Sequence, residues 1–181
     1  MGVFGFLRRN PHERTGYVLY SAAVAAARDP YLYRVVGVPD TLDGRFDLVG
    51  LHVFLLIRRL QAAPPPGPAL AQAVFDAMFH DMDVNLREMG VGDLSVGKKV
   101  KTMWEAFNGR ATVYGRALDA GDGAALQAAL ARNVWRGAAA GGNPALLAAI
   151  VDAQAAHLAG QPVTAGQAAF LPAAVAAEPG E

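Results

Sequence analysis

The stretch FDLVGLHVFLLIRRL, residues 46–60, decides the fold of this chain. Its residues leave almost no polar face, and a helix that is apolar nearly all round is buried on every side. The apolar run ends at Arg58 and is shorter than the roughly 20 residues that a membrane span needs. Its lone His52 is expected to be a core residue, hydrogen-bonded to a backbone carbonyl or a carboxylate. We therefore expect residues 46–60 to form the central helix of a helical domain.

Helix signals on both sides of this segment predict an all-α, compact single-domain bundle of six or seven helices. Asn10, Asp122 and Asn143 are suited to cap helices, while Asp29-Pro30 and Gly90 are suited to end them. The predicted helices cover residues 11–28, 31–36, 46–60, 69–89, 94–118, 122–136 and 143–159.

The predicted organisation has three parts. Residues 1–9 form an N-terminal tip that we expect to be mobile, and residues 10–160 form the helical domain. Residues 161–181, rich in Ala, Gly and Pro, are expected to be a mostly disordered tail with at most one further turn.

Composition and charge disfavour several classes of function. The 181 residues suit one domain, and 16 basic residues balance 16 acidic ones. A domain that binds a nucleic-acid duplex usually has a net basic surface, so we expect no nucleic-acid partner. Cysteine is absent, so the chain can form neither a disulfide nor a thiolate metal site, in keeping with a cytoplasmic location.

The first residues offer a weak membrane contact. Phe4, Phe6 and Leu7 precede Arg8 and Arg9, an order of charges opposite to that of a signal peptide. One short tip of this kind gives only weak anchoring. A peripheral membrane-binding module, at the inner face of the membrane, is therefore an alternative function.

A possible metal site lies between residues 76 and 83. Asp76, His80 and Asp83 share one helical face, and their side chains suit Zn, Fe or Mn. A hydrolytic metal site, however, usually takes ligands from several elements. A metal-dependent helical enzyme remains an alternative, but we expect an acidic, partner-facing stripe that includes Asp81, with no metal, no cofactor and no catalysis.

Two polar turns, at residues 38–47 and 86–99, concentrate charge. We expect Asp93 or Ser95 to cap a helix, and Arg45 or Arg87 to pair with a nearby carboxylate. Rigid, capped turns also often present bound surfaces. The candidate partner-binding residues are Asp40, Asp43, Arg45, Asp47, Asp76, His80, Asp81, Asp83, Arg87, Glu88, Asp93, Lys98 and Lys99.

Three blocks of sequence carry a family resemblance: VPDTLDGRFDLVGLHVFLLIRRL (38–60), FDAMFHDMDVNLREMGVGDLSVGKKVKTM (75–103) and AFNGRATVY (106–114). In this order, within residues 27–114, they resemble the ubiquinol–cytochrome c chaperone family. The resemblance implies a helical protein that binds newly made cytochrome b and assists assembly of the ubiquinol–cytochrome c oxidoreductase. It also allows contacts with a small helper protein or the ribosome. We expect a bacterial member, because the chain is compact and starts without a transit peptide.

The chemistry of such a client suits the predicted surface. Cytochrome b spans the membrane several times, and cytoplasmic loops of such proteins are rich in Lys and Arg. The stripe of Asp76, Asp81 and Asp83 would attract those loops. Four methionines could either offer an adaptable surface to the client or fill the core, and we favour the core. They are Met78, Met82, Met89 and Met103.

Overall fold

A computed structural model describes residues 11–137 and 141–178, and in these ranges every regular element is helical. The elements are α1 (Glu13–Ala27), α2 (Pro30–Arg34), α3 (Leu42–Gln61), α4 (Gly67–Glu88), α5 (Asp93–Ala120), α6 (Gly123–Val134), α7 (Pro144–Ala159), a 3₁₀ turn (Val163–Ala165) and α8 (Ala173–Ala176). Seven of these described helices have five residues or more, which confirms the all-α class and the predicted number. The predicted N-terminal tip, residues 1–9, and the predicted cap Asn10 lie outside the described residues.

Helix α3 lies at the centre of the bundle, as its sequence predicts. Leu48 and Leu55 belong to a hydrophobic cluster shared with α6 and α7. Val53, Leu56 and Leu60 belong to a second cluster, formed with α1 and α4. Among the described helices none is long and apolar enough to cross a membrane.

The start of α3 differs from the prediction. The helix begins at Leu42, four residues before Phe46, because Thr41 Oγ1 accepts a 3.1 Å hydrogen bond from the Gly44 amide. A Cβ at Gly44 would lie 2.0 Å from the Pro39 carbonyl oxygen, so only glycine allows this close approach. Asp43 and Arg45 are therefore helical residues and not parts of a turn.

The start of α5 also corrects a prediction. Gly92 occupies the N-cap position, and Asp93 is the first helical residue. Neither Asp93 nor Ser95 is therefore the cap. A carboxylate in the first turn still interacts favourably with the helix dipole.

The prediction of a mostly disordered tail is wrong for residues 161–178. The Gln154 side chain donates to the Leu171 carbonyl at 2.7 Å and accepts from the Leu171 amide at 2.9 Å. Gln161 binds both backbone groups of Ala169 in the same way. Composition alone does not reveal this arrangement, because side chains distant in sequence satisfy the backbone of the segment.

Candidate partner-binding surfaces

The first polar turn yields one exposed ion pair. Arg45 Nε donates to Asp40 Oδ1 at 2.6 Å, and this bond lowers the pKa of the Asp40 carboxyl. The predicted pairing of Arg45 with a nearby carboxylate is confirmed. Both side chains are more than half exposed, so the pair remains open to a partner.

Asp47 is instead buried, with 8% of the residue exposed. Arg110 of α5 donates to one of its carboxylate oxygens, and Arg136, which follows α6, donates to the other at 2.7 Å. Arg136 also lies 3.7 Å from Asp43, and Asp47 raises the pKa of the Arg136 guanidinium. This cluster of two carboxylates and two arginines joins α3, α5 and the end of α6. It holds Asp47 in the interior, so Asp47 is not available to a partner.

The acidic stripe on α4 divides into two faces. Asp76, His80 and Asp83 share one side, where Asp76 accepts a 2.7 Å hydrogen bond from Gln72. Asp81 points elsewhere and accepts a 2.7 Å hydrogen bond from the Tyr20 hydroxyl of α1. Burial raises the pKa of Tyr20, so the phenol remains a donor. Asp81 therefore acts in packing α4 against α1 and does not extend the stripe.

The second polar turn is closed by an arginine. Arg87 Nε donates to Asp83 at 2.6 Å, and a second nitrogen of Arg87 contacts Asp93 at the start of α5. The first bond lowers the pKa of the Asp83 carboxyl. The predicted pairing of Arg87 with a nearby carboxylate is confirmed, and it neutralises Asp83, the carboxylate at the C-terminal end of the stripe.

The remaining candidates, Glu88, Lys98 and Lys99, are exposed. In the parts of the chain that the structure describes, no salt bridge joins them to another side chain.

The alternative function, a metal-dependent enzyme, would need a group of metal ligands, and residues 11–137 and 141–178 contain none. No three His, Asp or Glu side chains there are grouped so that they could hold a metal ion. Asp83 is engaged by Arg87, and Asp76 by Gln72.

A groove that sequence reasoning missed lies between α5 and the pair α3 and α4, with a volume of about 600 Å³. Phe54, Phe75, Trp104 and Phe107 line it, and we call it the α5 groove. Phe75 and Phe107 meet edge to face at 5.9 Å between ring centroids. Trp104 lines the groove and is 46% exposed. The groove thus offers aromatic surface to a partner.

Small side chains on α5 leave this space open. Ala111 and Gly115 follow Phe107 by one and two turns, so little side-chain volume fills the gap toward α3. The spacing Phe107–Ala111–Gly115 was visible in the sequence and could have indicated the groove. At its rim, Arg58 of α3 donates to Asp119 of α5 at 2.6 Å.

Core filling is confirmed for two of the methionines. Met78 and Met82 are buried, while Met103 is half-buried and Met89 is exposed. Met78, Met82 and Met103 line a cavity of about 170 Å³ on the other side of Phe107, beside Asp47 and Arg110. Met78 and Met82 therefore fill the interior between α3 and α4, and Met103 lies at its edge on α5.

His52 is a core residue, as expected. Its Nδ1 lies 2.8 Å from the Leu48 carbonyl oxygen, and its ring meets Phe170 edge to face at 5.4 Å. Burial lowers the pKa of the imidazole. The neutral ring thus fixes the C-terminal segment against α3.

Comparison with known proteins gives three findings. The sequence model of the family described as "Ubiquinol-cytochrome C chaperone" matches residues 34–167. The ubiquinol-cytochrome-c reductase complex assembly factor 1 of Xenopus laevis is 23% identical over 116 residues, which are 64% of this chain and 58% of that protein. The crystal structure of the Cbp3 homolog from Brucella abortus superposes with a TM-score of 0.81 at 36% identity, covering 90% of this chain and 92% of that one.

Proposed function

Because the chain belongs to the ubiquinol-cytochrome C chaperone family, we propose that it binds newly made cytochrome b and assists its assembly into the ubiquinol–cytochrome c reductase complex. The family match over residues 34–167 carries this proposal. The relative from Xenopus is named for the assembly of that complex, and this chain covers little more than half of its length. The proposed mechanism is binding alone, without a cofactor and without catalysis.

The α5 groove is the surface that suits such a client best. Unassembled membrane helices present apolar faces, and an apolar helix face is commonly received by a hydrophobic groove. Phe75 and Phe107 supply a rigid aromatic floor, and Trp104 supplies an exposed anchor of the type that dominates binding energy at interfaces. The rim is polar, which allows the empty groove to remain solvated.

Negative charge at the edge of the α5 groove is complementary to the basic loops of the same client. Gln72 lines the groove and holds Asp76, whose carboxylate is exposed, and His80 lies one turn further along α4. Of the acidic stripe, Asp76 is thus the carboxylate with neither an arginine partner nor a packing role in the described ranges. We assign the contact with basic client loops to Asp76, beside the exposed His80.

Deletion of the gene in its host tests the proposal. Reduced-minus-oxidised spectra of the membranes, with immunoblots for cytochrome b, should show loss of the cytochrome b signal. The wild-type gene should restore the signal. An unchanged amount of assembled complex in the deletion strain would contradict the proposed function.

A further inference from the structure

The turn between α4 and α5 carries an unusual concentration of charge. All three lysines of the chain, at positions 98, 99 and 101, lie within one turn of α5. Each is exposed, and we call residues 87–101 the α4–α5 tip. The tip contains four basic and two acidic residues, although the whole chain is neutral.

Folding does not account for the position of these lysines. Within the described ranges, Lys98 and Lys99 have no carboxylate within salt-bridge distance, and the partner of Lys101, Glu105, lies 3.9 Å away. Gly97, with no atom outside its own helix near its Cβ position, weakens this end of α5. In the part of the chain that the structure describes, Lys98 and Lys99 therefore make no ion pair, and Lys101 makes only an exposed one, which contributes little to stability.

Apolar side chains stand exposed beside the lysines. Leu94, the second residue of α5, is 99% exposed, and Met89, at the end of α4, is 52% exposed. Leu94, Lys98 and Lys101 follow at i, i+4 and i+7, so they share one face of α5. An exposed leucine flanked by lysines is the pattern of a segment that rests in a membrane interface.

We propose that the α4–α5 tip docks on an anionic membrane surface. Lys98 and Lys101 contact the lipid phosphates on the face of α5 that carries Leu94, Lys99 adds positive charge from the flank of the helix, and Leu94 and Met89 enter the headgroup region. The charge of the tip is complementary to such a surface, where each lysine contributes about a fivefold factor to binding. The docking is reversible, because one short basic and apolar segment gives weak anchoring.

This docking goes beyond the proposed function and stands without it. Membrane docking would also assist the proposed function, because Trp104 lies ten residues after Leu94 on α5. At 1.5 Å per residue, this places the groove roughly 15 Å from the docked end of the helix. The α5 groove would then face a client that is still partly in the bilayer. The N-terminal residues 1–9 are a separate candidate, so the test leaves them unchanged.

Co-sedimentation of the purified full-length chain with vesicles tests the docking without any client. We expect binding to vesicles of phosphatidylcholine with phosphatidylglycerol, little binding to phosphatidylcholine alone, and release by salt. Lys98→Gln/Lys99→Gln/Lys101→Gln should weaken binding at least tenfold, and Leu94→Ser should weaken it several-fold with the salt dependence retained.

A matched variant distinguishes the tip from charge in general. Arg14→Gln/Arg34→Gln/Arg116→Gln removes the same charge from exposed positions outside the tip and should bind like the wild type. Equal weakening by both triple variants, unchanged binding of the lysine variant, or no binding of the wild type would each overturn the proposal. Because the assay contains no cytochrome b, its failure is distinct from failure of the proposed function.

Discussion

At the scale of single residues, buried polar groups join parts of the chain that are distant in sequence. Asp47 receives Arg110 from α5 and Arg136 from the end of α6. Gln154 binds the backbone of Leu171 through both ends of its amide. Both arrangements satisfy polar groups that would otherwise be costly to bury, and so they specify how the helices and the C-terminal segment meet.

Asp47→Asn should lower the free energy of unfolding by about 2 kcal/mol, because it removes a charge from two hydrogen bonds with arginines. The loss is smaller than for a fully buried ion pair, since both guanidinium groups are partly exposed and can be hydrated. Urea denaturation followed by circular dichroism measures it. Asp40→Asn, which removes an exposed pair, should leave stability unchanged within error. Equal effects of the two variants would contradict this account of Asp47.

His52 should make the protein less stable in acid. Its pKa is lowered in the folded state, so the unfolded chain binds a proton first as the pH falls below about 6.5. Stability is therefore full above that pH and declines below it, by at most about 1.4 kcal/mol per pH unit. Denaturation curves of the wild type and of His52→Gln, recorded on both sides of this pH, should show the steeper decline in the wild type. Parallel declines would assign the acid sensitivity to other groups.

At the scale of elements, α1 and α4 cross at a point where only glycine fits. A Cβ at Gly16 would lie 2.5 Å from the Cβ of Ala73. Gly109, within α5, has open space around it. The two glycines therefore allow substitutions with opposite effects.

Gly16→Ala should lower the free energy of unfolding by about 1–3 kcal/mol, because the helices must move apart. Gly109→Ala should raise it by about 1 kcal/mol through better helix propensity. Thermal and urea denaturation of both variants check the signs. A stabilising Gly16→Ala would show that the helices do not approach as closely as described.

The helices were predictable because their signals are local. Pro144 after Asn143, the cap at Asp122 and the stop at Gly90 act on neighbouring residues. The paths of residues 161–178 and of Arg136 were not predictable, since contacts made across more than ten residues determine them. Of the candidate site, the exposed pairs of Arg45 and Arg87 could be predicted from spacing. Of the α5 groove, only the small residues Ala111 and Gly115 after Phe107 were visible in the sequence; its lining depends on how three helices pack.

At the scale of the whole molecule, two features lie along α5. The lysines and Leu94 occupy its first turns, and Trp104 and Phe107 line the groove at its middle. Few side chains of this 28-residue helix are buried; they are Val96, Tyr114 and Ala117. A helix that contributes so little to the core is free to present surfaces, and we propose that its surfaces receive an unassembled membrane protein beside the bilayer.

Photo-crosslinking in the host tests this central claim most directly. In one strain a photoreactive residue replaces Trp104. In the control strain it replaces Tyr17 of α1, which is 57% exposed. The photoreactive residue is itself aromatic, so it keeps a ring at position 104, and immunoblots should show equal amounts of the two variant chains. We expect an adduct with cytochrome b from position 104 and little or none from position 17. No adduct from position 104, or equal adducts from both positions, would contradict it.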